Sequence, residues 1–70
     1  MNKVLISFNK NATNHLEDLG FNYKQSENDL EVLLDTVPYE FSNGTYQQPD
    51  QELCEHYGFN YELINTIKFI

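Results

Sequence analysis

His15-Leu16-Glu17-Asp18-Leu19-Gly20-Phe21-Asn22-Tyr23-Lys24 returns without a gap, 38 residues later, as Leu53-Cys54-Glu55-His56-Tyr57-Gly58-Phe59-Asn60-Tyr61-Glu62. Gly-Phe-Asn-Tyr is identical in the two stretches. Glycine just past the last helical residue enters the left-handed conformation without steric cost and stops a helix cleanly. The Phe-x-Tyr after it suits a strand with both rings on one face. Each stretch therefore predicts a helix that ends at a glycine and turns into a strand. A repeat of this kind speaks for two equivalent halves.

The residues before each glycine fit. Asn11 can cap the first helix, and Ala12, His15, Leu16 and Leu19 fall at i, i+3, i+4 and i+7. Pro49 and Asp50 are start signals for the second helix, which carries Leu53, Cys54 and Tyr57 on one face. Asp50 and Glu52 in its first turn complement the helix dipole. Both helices span about eight residues, too short to be stable alone, so each must dock on a sheet.

The chain ends supply strands. Lys3–Phe8 places Val4, Ile6 and Phe8 on one face. The 61–70 stretch places Leu63, Ile67 and Phe69 on one face, with Ile64, Thr66, Lys68 and Ile70 on the other. The 28–37 stretch has two readings. With Ser26-Glu27-Asn28-Asp29 as a hairpin turn, it is a strand with Leu30, Val32 and Leu34 inward. With Asn28 as a helix cap, Leu30, Leu33, Leu34 and Val37 form a helical stripe stopped by Pro38. The strand is favoured because the repeat requires one there. Asn43-Gly44, between Tyr39-Glu40-Phe41 and Thr45-Tyr46, is a strong hairpin signal. The expectation is one α+β domain over residues 1–70: a small ferredoxin-like βαββαβ sandwich, two short helices on an antiparallel sheet, with an inserted Asn-Gly hairpin.

Charge bears on function. Residues 1–24 carry Lys3, Lys10 and Lys24 against Glu17 and Asp18, a balance of +1. Residues 25–70 carry nine carboxylates against Lys68 alone, a balance of −8, and the chain has no arginine. This disfavours direct binding of nucleic acid or an anionic membrane, and favours a basic protein surface as partner. The apolar run at the N-terminus is too short for a signal-peptide core or a membrane span, and a single cysteine fits a reducing compartment. The expectation is a cytoplasmic protein.

The candidate partner-binding residues fall in two groups. Glu27, Asp29, Glu31 and Asp35, if the segment is extended, form a ladder of carboxylates about 6.8 Å apart, comparable to successive phosphates of a nucleic-acid strand. Glu40 and the hairpin aromatics Tyr39, Phe41 and Tyr46 would lie beside it. Exposed aromatics often anchor interfaces, although these rings could equally close one side of the core.

Catalysis has no support: there is no nucleophile elbow, glycine-rich phosphate loop or matched acid–base pair. Metal or cofactor binding has none either. Cys54 and His56 point to different sides of a helix, and Cys54, aligned with Leu16, reads as a small buried hydrophobe. The expected function is a small acidic interaction module. It would be a stoichiometric inhibitor of the phage or mobile-element kind, occupying a nucleic-acid-binding surface of a host protein as anti-CRISPR and anti-restriction proteins do. The alternative is a small regulatory domain that dimerises and binds a small-molecule ligand.

Overall fold

Val4, Ile6 and Phe8, at alternate positions of strand β1 (Asn2–Asn9), are fully buried, as a period-two pattern over one covered face requires. The structure, a computed structural model, describes residues 2–70, of residue 2 the backbone only. The strand stops at Asn9, whose side chain accepts a 2.9 Å hydrogen bond from the Asn11 N–H and opens a 3-10 turn over Lys10–Ala12. Helix α1 (Thr13–Leu19) comes directly after it. Asn11 therefore lies inside this turn and does not cap α1, whose N-cap position is Ala12 with no side-chain cap, while Asn9 caps the turn. Ala12 and Leu16 are buried, while Leu19 is 38% exposed at the helix end.

Gly20 takes φ +80°. The Gly20 N–H donates to the Glu17 carbonyl and the Phe21 N–H to the Leu16 carbonyl, both at 3.1 Å. This bond pair is the Schellman closure, and it draws the residue after the glycine back over the helix. Helix α2 (Pro49–Tyr57) ends at an equivalent glycine: Gly58 has φ +79°, and its N–H and that of Phe59, the latter at 2.9 Å, both donate to the Cys54 carbonyl. The equivalence read from the repeat therefore holds at both helix ends.

Beyond the glycines the two halves diverge from the expected strands. Phe21-Asn22-Tyr23 is irregular, and strand β2 is only Lys24–Gln25. Tyr61–Leu63 is a 3-10 turn opened by the Asn60 side chain, which accepts from the Glu62 N–H, before strand β4 (Ile64–Phe69) begins. The phenylalanines close the helix caps instead of starting strands. Their rings meet at 4.8 Å, so the two halves of the repeat touch.

Residues 29–37 are strand β3 (Asp29–Val37), which excludes the helical reading. Glu27 and Asn28 form the turn from β2, and the Ser26 N–H donates to the Asp29 carbonyl at 2.9 Å. The four strands make one sheet in the order β2-β3-β1-β4, every neighbouring pair antiparallel. Both helices contribute to a single core against the inner face of this α+β sheet.

Two bulges alter the faces expected from alternation. One, between Asn2 and Val4 of β1, brings Val37 inward three residues after Leu34. The other, after Ser7, pairs Phe8 with Ile64, which joins Ile67 and Phe69 on the inner side. Ile64 therefore does not share a face with Thr66 and Lys68 as alternation implied.

The Asn-Gly hairpin does not form. Pro38 ends β3, Tyr39–Phe41 is a 3-10 turn, and residues 42–48 contain no strand. Asn43 instead makes a side-chain turn, its Oδ1 accepting from the N–H and hydroxyl of Thr45. Phe41 is buried against Tyr46 and His56, and this anchoring takes precedence over the local hairpin preference.

Candidate functional site

The helices cover one face of the sheet and leave the other to solvent. Cross-strand register gives the layout of this outer face. Lys24 on β2, Glu31 on β3, Ser7 on β1 and Thr66 on β4 form one row. Leu33, Leu5 and Lys68 form the next. An open groove of about 540 Å³ runs beside β3, lined by Leu5, Asn22, Tyr23, Lys24, Glu31, Leu33 and Asp35. Leu33 is 50% exposed.

Asp29, Glu31 and Asp35 lie on this outer face, as a carboxylate ladder on an extended strand demands. The ladder is incomplete. Glu27 sits in the turn outside the strand, and Leu33 occupies the step between Glu31 and Asp35. Asp29 is held by Asn65, whose Nδ2 donates to Oδ1 at 2.9 Å. The aromatic group divides as well. Phe41 is in the core and Tyr46 packs on it at 5.1 Å, which leaves Tyr39, 61% exposed, and Glu40 at the surface.

The lysines are what the ladder left out of account. Lys24 pairs directly with Glu31, Lys68 stands beside Leu5, and Lys3 falls on the same face by alternation. The outer face thus carries three lysines and three carboxylates and is neutral as a whole. The other eight carboxylates are Glu17, Asp18, Glu27, Glu40, Asp50, Glu52, Glu55 and Glu62, with Lys10 as their one lysine. All but Asp50 are exposed. The chain's whole charge of −7 therefore belongs to the helices, turns and loops. Lys68 was already readable as outward-facing on its strand, so the sequence held part of this signal; placing Lys24 opposite Glu31 required the register.

The remaining chemically versatile side chains have structural occupations. The His15 Nε2 accepts from the Asn60 N–H at 3.0 Å and ties α1 to the second half of the repeat. The His56 ring lies between Phe41 and Tyr57, at 5.5 and 4.7 Å. Cys54 is 3% exposed, and burial, with Asp50 and Glu55 nearby, pushes its thiol pKa up. A buried thiol held protonated is a poor nucleophile. Tyr23 donates to the Glu17 Oε2 at 3.3 Å, and its pKa is raised by partial desolvation and by that carboxylate. Among the described residues, no three His, Cys, Asp or Glu side chains gather at a metal-binding position, and no helix is long and apolar enough to cross a membrane.

Compared with known proteins, the chain matches no family model, no curated protein and no solved structure.

Proposed function

We propose that this protein is a small interaction module that lays its acidic helix side against a basic, nucleic-acid-binding surface of another protein. It acts in the cytoplasm as a stoichiometric inhibitor of the phage or mobile-element type. The observation that carries this reading is the segregation of charge: the sheet face balances its charges, while the helices and loops hold eight carboxylates against Lys10. A surface of one sign speeds encounter with a basic partner and makes it salt-sensitive. The βαββαβ order, with β3 between β1 and β2 and β1 between β3 and β4, supports a ferredoxin-like scaffold beneath that surface. The buried, protonated Cys54 supports a binding role over covalent catalysis.

The test is capture of a partner from host lysate at low salt, with release at high salt. Association is then measured for two variants. One neutralises Glu17, Asp18, Glu52 and Glu55 to glutamine or asparagine; the other does so for Asp29, Glu31 and Asp35. The first should slow association by about tenfold or more, and the second should change it little. Slowing by the second variant alone would return the site to the β3 ladder. Binding unaffected by salt or by either variant would rule out charge complementarity as the basis of recognition.

A second reading, a regulatory domain that binds a small molecule, has the groove beside β3 in its favour. A shift in melting temperature with a small metabolite would support it.

A further inference from the structure

We propose that the outer face of the sheet is the docking surface for a second copy of this chain. Charge selects the occupant. Each copy carries −7, so two copies repel through every surface except the one whose charges balance. That surface is also where Leu33 and Leu5 stand side by side, Leu33 half exposed.

The register makes the face complementary to itself. A two-fold axis running along the strands between β1 and β3 carries Leu5 of one copy over Leu33 of the other. Lys68 lies one strand beyond Leu5, so the axis carries it to the position one strand beyond Leu33, which is the groove. There its aliphatic stem rests on Leu33, and its ammonium group meets Glu31 and Asp35. The contact occurs twice, as an isologous interface requires. The three long strands, about 4.8 Å apart and roughly 20 Å or more in length, with the two-residue β2 at the edge, offer on the order of 500 Å² of accessible surface per copy once side-chain relief is included. That is below the roughly 800 Å² per partner of a standard stable interface, so the dimer is weak and reversible.

Sedimentation equilibrium from about 10 µM to about 1 mM tests this. The parent protein should self-associate. Association should tighten by about tenfold between roughly 20 and 300 mM salt, because screening removes the repulsion of the two net charges. This is opposite in sign to the salt dependence of the acidic helix side with a basic partner, so the two proposals fail separately. Lys68→Glu should weaken association by at least about tenfold, and Lys10→Glu, with the same net charge but off the face, should weaken it much less. The Lys68→Glu/Glu31→Lys swap keeps the parent's net charge and should restore association, with circular dichroism checking the fold of each variant. A parent protein that stays monomeric throughout would overturn the proposal. So would equal effects of Lys68→Glu and Lys10→Glu, or a folded swap variant that fails to associate.

Discussion

Replacing Gly58 with alanine isolates the left-handed helix cap from every other effect. A Cβ built on Gly58 meets only the Leu19 Cδ2, at 3.7 Å, an ordinary contact, and one built on Gly20 meets nothing within 4 Å. Packing is therefore unchanged, and the cost comes from holding alanine at φ +79°. A left-handed L-residue is disfavoured by roughly 1–2 kcal/mol. The stiffer unfolded chain returns about 0.4–1 kcal/mol of that. The net loss is about 1 kcal/mol for either glycine, a fall in Tm of roughly 4–8 °C for a domain of this size. Urea melts of Gly20→Ala, Gly58→Ala and the corresponding asparagine variants measure it. Asparagine tolerates the left-handed region and should lose less than alanine at both sites. Two alanine variants that match or exceed the parent in stability would refute the reasoning. A loss of several kcal/mol at Gly58 alone would mean that Leu19 cannot accept the methyl group.

Leu53 is fully buried on α2. Truncating Leu53→Ala should cost about 2–5 kcal/mol, comparable to the roughly 3–5 kcal/mol a core of this size supplies. Circular dichroism at 25 °C should find the variant largely unfolded, while Leu53→Met stays folded. The Tyr23 phenol has a folded-state pKa above its ordinary 10.0, so its stabilising contribution is whole below that pH and is lost as pH rises beyond it. Tyr23→Phe should flatten the alkaline limb of a plot of urea midpoint against pH above 10. Cys54, raised from 9.0 by burial, should react with thiol reagents far more slowly than in the urea-unfolded chain, and Cys54→Ala should remove its share of the stability lost above pH 9.

The helix ends were legible from sequence because their cause is local: at Gly20 and Gly58 the backbone enters a conformation that glycine accepts and other residues resist. Strand β1 was legible because alternation over Val4, Ile6 and Phe8 depends only on one face being covered, whereas Leu30, Val32 and Leu34 fit a strand and Leu30, Leu33, Leu34 and Val37 a helix, so β3 was favoured only through the repeat. The tertiary structure decided what depends on a distant partner. Phe21 and Phe59 left the strands assigned to them because each ring found the other across the helix ends. Val37 and Ile64 turned inward at bulges that exist only in relation to β1. Asn43-Gly44 lost its hairpin because Phe41 is anchored in a core to which α2 also contributes. The acidic surface obeys the same division. The net charge of −7 is a property of composition, but its segregation arises from pairing. Glu31 lies opposite Lys24 through a local hairpin, but Lys68 stands beside Leu5 only once hydrogen bonds between β1 and β4, remote in sequence, have set the register.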